Sequence, residues 1–183
     1  MQTETARLIL RCPRLTDAPA LFEFLGDAEA MQYTHVDPTL RACRRRIAVH
    51  QWYRRRNGYA PWTIVAKGSD RIIGWGGLYE DPLDPGWGVE AGYFFHPAAW
   101  GLGYASELMT VCTNIADEVL GLPEVRAFAH PENIGSRRVL EKAGFEPLHF
   151  VPKMERLLFR RSRPELPYLN PPWKSATLRA RRA

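Results

Sequence analysis

The spacing of hydrophobic residues in the first half of the chain predicts two helices and four strands. Runs rich in β-branched and aromatic residues predict strands at 8–10, 62–66, 71–78 and 89–95. Between the first two runs, Ala20, Leu21, Phe24 and Leu25 recur at helical spacing, and N-cap residue types precede them at 16 and 17. A second helix is predicted to begin near Thr39, with Leu40, Cys43, Ile47 and Gln51 on one face.

In the second half of the chain, helices and strands alternate. Apolar residues repeat at intervals of 3, 4, 3 and 4 and predict a helix over Ala105, Leu108, Cys112, Ile115 and Val119. Gly121 and Pro123 end this helix. A strand at 125–129, a helix at 134–143 closed by Gly144, and strands near 146–150 and 154–159 follow. This order of elements predicts a mixed α/β (α+β) sheet in a single domain.

The composition is that of a globular protein in a reducing compartment. The chain has 183 residues, 45% of them hydrophobic and 25% charged, a size at which one core is stable without disulfides. No apolar run approaches the roughly 20 residues of a membrane span, and the first residues lack the apolar segment of a secretory signal. The cysteines, Cys12, Cys43 and Cys112, have no metal-ligand spacing. We therefore expect a cytoplasmic protein with neither a disulfide framework nor a metal.

The positive charge of the chain is concentrated at its C-terminus. The net charge is +5, of which residues 160–183 carry +6 and residues 1–159 carry −1. The basic segment also contains Pro164, Pro167, Pro171 and Pro172. We expect a folded domain at 1–159 and a basic, Pro/Arg-rich tail at 160–183 that is partly disordered. Because the body is nearly neutral, nucleic acid is not the expected partner.

A glycine-rich connection follows the predicted strand at 89–95. Gly101 and Gly103 stand directly before a predicted helix, where unpaired N–H groups and the helix dipole favour an anion such as a pyrophosphate. Glycine also lets the backbone approach phosphate oxygens without obstruction by a Cβ. The alternative is a tight turn that uses glycine only for its geometry.

A second motif changes the balance between these alternatives. Asn133 and Ser136 open the predicted helix at 134–143, and Glu141, Lys142, Gly144 and Phe145 close it. Together with the segment from Trp100 to Ala105, this pattern resembles the GNAT superfamily of acyl-CoA-dependent N-acetyltransferases, in particular its ribosomal-protein (Rim-type) branch. The resemblance covers about residues 5–159. It departs from the family at Trp100, where Arg or Gln is usual, and at Leu140, where many members have a Tyr that protonates the leaving thiolate.

The resemblance implies a fold, a co-substrate and a set of site residues. The fold is a mostly antiparallel sheet of six to seven strands with helices on both faces and a splay between the fourth and fifth predicted strands. The co-substrate is acetyl-CoA. Its pantetheine arm would meet Phe94, Phe95, His96 and Asn133, and its pyrophosphate would meet Gly101, Leu102, Gly103, Tyr104, Ala105 and Ser106. The acceptor would be a primary amine on a protein N-terminus, a Lys or a small molecule, and a homodimer is a family-level expectation.

The reaction needs a base, because amines with pKa values near 8 to 10 are largely protonated at neutral pH. Glu90 is the first candidate, acting directly or through water; the alternative is a solvated carboxylate at the end of a strand. His96 precedes Pro97 at the end of a predicted strand, where a histidine is more often a turn residue than a catalytic base. The resemblance to the Rim-type branch implies that Ser136 lies near the CoA thiol and takes the place of the usual Tyr. Cys112 lies on the apolar stripe of its helix and is expected to be a buried thiol rather than a nucleophile.

The predicted helix after Thr39 is rich in arginine. It carries Arg41, Arg44, Arg45, Arg46, Arg54, Arg55 and Arg56 without an acidic residue. A solvated face is the usual explanation; in GNAT enzymes this helix borders the acceptor, so Arg44 and Arg45 are candidates for binding an acidic acceptor. Two rival functions remain: a basic nucleic-acid-binding module using residues 41–56 and the tail, and a CoA-binding domain without turnover.

Overall fold

The computed structural model describes residues 2–164 and shows one sheet with helices on both faces. The strands are β1 (Thr3–Glu4), β2 (Leu8–Arg11), β3 (Trp62–Ala66), β4 (Ile72–Tyr79), β5 (Glu90–Phe95), β6 (Glu124–Ala129), β7 (Glu146–Val151) and β8 (Arg156–Ser162). The helices are α1 (Ala18–Leu25), α2 (Leu40–Asn57), α3 (Tyr104–Asn114) and α4 (Ile134–Lys142). The predicted mixed α/β fold is confirmed.

The sheet order is β1-β2-β3-β4-β5-β6-β8-β7, and every neighbouring pair is antiparallel except β5 and β6. The predicted six to seven strands are therefore eight. The additional strand, β1, contains two residues paired with β2, which is too short to leave a hydrophobic pattern. Strand β8 extends to Ser162, past the predicted domain boundary at 159. The rest of the predicted tail, 165–183, lies outside the described residues.

Two hydrophobic clusters cover the two faces of the sheet. On one face, Phe24 of α1 and Ile47 of α2 pack with Trp75 of β4. On the other, Cys112 of α3 and Leu140 of α4 pack against the sheet with other buried residues of β2 to β6 and β8. Side chains alternate between the two faces along a strand. On β5, Phe95 therefore packs on the α3 and α4 face, whereas Phe94 stacks on Trp75 on the α1 and α2 face.

Strands β5 and β6 pair at one position, between the first residue of β5 and the third residue of β6. Glu90 pairs with Arg126, and the Arg126 amide donates to the Val89 carbonyl at 2.9 Å. Beyond this pair the register contains no further partners among the described residues. Parallel strands need a long connection, and here it contains α3, which begins beside the opening. The predicted splay is thus present, between β5 and β6.

Candidate active site at the opening between β5 and β6

The glycine-rich loop places a row of amides at the N-terminus of α3. Gly101 and Gly103 have φ values of +73° and +80°, a left-handed conformation that glycine adopts without strain. Gly103 is the N-cap and provides no side chain to cap the helix, so the first-turn N–H groups lack the partner that a capping side chain would supply. The loop therefore has the geometry of an anion site.

Contacts from the start of the chain hold this loop in place. Arg7 donates from Nη1 to the Leu102 carbonyl at 2.7 Å and from Nε to Glu107 in the first turn of α3, also at 2.7 Å. Its guanidinium lies 4.7 Å from the centre of the Tyr104 ring. Thr5 and the Arg7 amide also donate to Glu107. These hydrogen bonds to a charged acceptor hold the pKa of Glu107 below its usual value, although partial burial opposes them.

A cleft of about 700 Å³ lies beside the loop. Eight of the predicted co-substrate residues line it: Phe94, Phe95, Gly101, Gly103, Tyr104, Ala105, Ser106 and Asn133. Arg138 and Lys142 of α4 also line the cleft, and neither was predicted from the sequence. Their spacing of four residues on one helix face is the signal that could have identified them.

His96 and Leu102 lie outside the cleft lining. The His96 amide donates to the Ile73 carbonyl at 2.9 Å, and its Nδ1 accepts from the Ala98 amide at 3.1 Å. Trp100 donates from Nε1 to the Phe95 carbonyl at 2.9 Å. Since the His96 amide and the Phe95 carbonyl have partners within the chain, the expected backbone pairing with a pantetheine arm is restricted to the remaining groups of β5.

Ser136 and Asn133 stand together at the start of α4. The Asn133 side chain accepts from the Ser136 amide at 3.0 Å and so caps the helix. The Ser136 hydroxyl lies 3.1 Å from the hydroxyl of Tyr93 on β5. Burial raises the pKa of Tyr93 to about 12, although the Ser136 hydrogen bond opposes this shift. Tyr93 was not predicted, whereas Leu140, at the position where a Tyr is common, is buried and apolar.

A second, smaller cavity of about 140 Å³ opens on the α1 and α2 side. The two spaces share the following lining residues: Tyr33, Thr34, Tyr93, Phe94, Asn133 and Ser136. Tyr33 stacks on His130 of the β6–α4 connection with ring centres 5.1 Å apart. A group in the cleft can therefore meet a group in the cavity at the Tyr93 and Ser136 hydroxyls.

Glu90 lines the smaller cavity and is only 5% exposed. Burial raises its pKa to about 8, and the nearby charges of Asp81 and Asp84 add to the shift. Arg156 and Arg126 act in the opposite direction. Glu90 pairs with Tyr79 across the β4–β5 ladder. The alternative of a solvated carboxylate is wrong, and Glu90 has the pKa of a group that can accept a proton near neutral pH.

Gly92 on β5 has no side chain and so leaves room for Tyr79 beside Glu90. A Cβ at Gly92 would come within 2.5 Å of the Tyr79 hydroxyl, so the tyrosine lies over the glycine on the cavity side of the sheet. Both residues line the cavity. The aromatic segment around the β3–β4 hairpin thus contributes Tyr79 and Trp75 to the wall.

Helix α2 contributes Arg46 and His50 to this cavity, and neither was singled out from the sequence. They lie three residues after Cys43 and Ile47, which the hydrophobic pattern placed on the inner face; this spacing is the signal that was missed. Arg44 and Arg45 are exposed and line neither space. Burial lowers the pKa of His50 to about 3, with Arg46 and Arg54 contributing, so the imidazole is neutral.

Two other sequence expectations concern thiols and metals. Cys112 is 1% exposed, and burial raises its pKa to about 12, which places it in the core rather than at the reaction centre. Within residues 2–164, no group of three His, Cys, Asp or Glu side chains is arranged to hold a metal ion. The same part of the chain contains no helix long and apolar enough to cross a membrane.

Known proteins share both the sequence pattern and this fold. The family model described as an acetyltransferase (GNAT) domain matches residues 7–146. YoaA, an uncharacterized N-acetyltransferase of Bacillus subtilis, is 29% identical over 147 residues, 78% of this chain and 81% of YoaA. Ribosomal-protein-S5-alanine acetyltransferase from Vibrio fischeri superposes with a TM-score of 0.73 at 16% identity, covering 90% of this chain and 98% of that one.

A second similar structure contains a bound coenzyme. RimJ of Mycobacterium smegmatis, in complex with CoA-disulfide, superposes with a TM-score of 0.69 at 17% identity, covering 85% of this chain and 81% of RimJ. These likenesses place Rim-type acetyltransferases among the structural neighbours of the fold. The family match over residues 7–146 shows that this chain belongs to the GNAT acetyltransferases, enzymes that transfer the acetyl group of acetyl-CoA to an amine.

Proposed function

We propose that the chain binds acetyl-CoA in the larger cleft and transfers the acetyl group directly to a primary amine that enters through the smaller cavity. The observation that carries this proposal is the common wall of the two spaces, which contains Tyr93, Asn133 and Ser136. A donor in one space and an acceptor in the other would meet there. Direct transfer needs this arrangement, because both substrates must be present together.

The loop and two helices supply the groups that suit a nucleotide phosphate. First-turn amides of α3 and the helix dipole would face the pyrophosphate beside Gly101 and Gly103. Arg138 and Lys142 of α4 add positive charge to the lining of the cleft. Asn133 and the unpaired backbone of β5 would hydrogen-bond the pantetheine arm. Trp100 does not replace the usual Arg or Gln as a donor to the phosphates, because its indole N–H donates to the Phe95 carbonyl.

Glu90 is the general base in this proposal. Acetyl-CoA supplies the activated thioester; the amine nitrogen forms the new bond to its carbonyl carbon as the carbon–sulfur bond breaks. Glu90 lies four residues from Phe94 on β5, about 13 Å along a strand, so it accepts the amine proton through a chain of several water molecules. The hydroxyls of Tyr93 and Ser136 donate to the leaving sulfur, and water returns the proton to this pair.

A thermal melt with saturating acetyl-CoA, and the release of free thiol in the presence of amines, test the proposal. Binding at a hundredfold excess over Kd stabilises the native state by about 2.7 kcal/mol, which corresponds to a shift of about 5–10 °C for a chain of this size. ATP and a short RNA serve as comparison ligands.

A pair of variants on one helix shows where acetyl-CoA binds. Ser106→Glu places a carboxylate in the cleft and should abolish the shift. Thr110→Glu, one turn further along α3 at an exposed position outside the cleft lining, should leave it intact. Equal shifts for both variants would overturn the assignment of the cleft. A shift with RNA alone that disappears in salt would instead support the nucleic-acid-binding alternative.

A further inference from the structure

The wall of the smaller cavity contains two buried polar atoms without a partner. His50 is 4% exposed and Trp75 is 1% exposed, and both side chains line the cavity. Nδ1 of His50 and Nε1 of Trp75 have no hydrogen-bond partner among residues 2–164. The two rings contact each other edge to face, with centres 4.9 Å apart. Because buried polar groups in proteins are almost always hydrogen-bonded, these atoms indicate a ligand group at this place.

Arg46 adds a positive charge to the same place. Its guanidinium carbon lies 5.9 Å from the centre of the Trp75 ring. Nε and Nη2 donate to Asp37, and these hydrogen bonds do not use Nη1. The Asp37 carboxylate therefore orients the arginine while leaving it a donor for a further group.

The chemistry of these groups selects an oxygen acceptor. The indole N–H and the guanidinium can only donate. The neutral His50 donates from Nδ1 in one of its two tautomers. Three donors around one place, one of them charged, match the two oxygens of a carboxylate better than they match an amine or an apolar group.

We propose that Arg46, His50 and Trp75 form a subsite for a carboxylate carried by the acceptor, so that the acceptor is an amino acid or a similar small amino carboxylate. This inference rests on the proposed function, because it assigns the amine to the cavity. Trp75 pairs with Phe94 across the β4–β5 ladder, and Phe94 also lines the acetyl-CoA cleft. The subsite therefore lies on the strand next to β5, directly beside a residue that lines the cleft. This short separation suits an acceptor whose amine and carboxylate are separated by few bonds.

A panel of matched acceptors tests the charge requirement. The panel contains the standard L-amino acids and β-alanine, their amides, their dipeptides with glycine, and the corresponding decarboxylated amines, each assayed by thiol release. We expect kcat/KM for at least one amino acid to exceed that of its amide and its decarboxylated amine by about tenfold or more, since hydrogen bonds to charged groups have this effect. Preference for dipeptides or amides over free amino acids would overturn the carboxylate and favour a peptide carbonyl.

Variants with matched controls test the subsite itself. Trp75→Phe removes the N–H and keeps an aromatic ring, whereas Trp52→Phe makes the same change at a 54% exposed position on α2. Arg46→Gln combined with Asp37→Asn removes the ion pair without leaving a buried charge, and Arg44→Gln is its exposed counterpart. We expect the first variant of each pair to raise KM for the amino acid about tenfold or more, with the acetyl-CoA melt shift retained, and the controls to show no change.

The outcomes separate the two proposals. Acetylation of amines with no preference for a carboxylate, or an unchanged KM in folded Trp75→Phe, overturns the subsite and leaves the acetyltransferase proposal standing. If acetyl-CoA does not raise the melting temperature of the unmodified protein and no amine is acetylated, the proposed function is overturned. If Trp75→Phe does not fold, the Arg46 and Asp37 double variant provides the decision.

Discussion

The hydroxyl groups of Tyr93 on β5 and Ser136 on α4 lie 3.1 Å apart, and they join the two elements at the point where the cleft meets the smaller cavity. In the proposed mechanism, this pair is the proton donor for the leaving sulfur. Leu140, one turn further along α4, is buried and apolar. In the proposed mechanism, Tyr93 on a strand supplies the phenol, because Leu140 on the helix cannot.

We predict that Tyr93→Phe lowers kcat by about 100-fold, since general acids of this kind contribute 10²–10⁴-fold. Ser136→Ala should lower kcat as well, because the serine holds the phenol in place. Because the two hydroxyls act as one unit, the double variant should be little worse than the poorer single variant. Steady-state kinetics with acetyl-CoA and a fixed amine provide the comparison, and multiplicative effects would show that the residues act independently.

We predict that the rate depends on the ionisation of Glu90. Burial raises its pKa to about 8, and a base must be deprotonated to work, so kcat should rise with pH and level off above about 8. Glu90→Gln should lower kcat by about 100-fold or more and remove this limb of the profile. Repeating the profile with an acceptor amine of different basicity distinguishes the enzyme group from the amine, whose own titration would move with the acceptor.

The elements of the fold were predictable because their hydrophobic patterns are strong, whereas the acceptor side of the site was not. The glycines at 101 and 103 and the pair Asn133 and Ser136 were found because they stand in contiguous segments. Arg46, His50 and Trp75 come from α2 and β4, and only packing of the helix on the sheet brings them together. Glutamate is seldom buried, so the raised pKa of Glu90 could not be inferred from its neighbours in the chain.

We predict that Glu90 makes the stability of the protein depend on pH. The folded-state pKa of about 8 lies above the usual value of 4.5, so the folded state holds the proton more tightly than the unfolded state. The stability that this contributes is full below pH 4.5 and is lost as the pH rises towards 8. The free energy of unfolding of Glu90→Gln should therefore increase relative to the unmodified protein between pH 5 and pH 9.

Urea unfolding at the two pH values measures this difference. Glu141→Gln, at an exposed position on α4, is the control for removal of a carboxylate. A difference between Glu90→Gln and the unmodified protein that does not change with pH would show that Glu90 has an ordinary pKa in the folded state.

We predict that Gly101→Ala weakens acetyl-CoA binding beyond its effect on folding. Gly101 has a φ of +73° and Gly58, at the C-terminus of α2, has a φ of +83°; a Cβ added at either glycine would have no atom within 4 Å. Alanine in a left-handed conformation costs about 1–2 kcal/mol, so Gly101→Ala and Gly58→Ala should lose similar stability. Gly101 lines the cleft and Gly58 does not, so only Gly101→Ala should raise Kd for acetyl-CoA. Calorimetric titration of the two variants checks this, and equal Kd values would show that the loop backbone does not approach the phosphates.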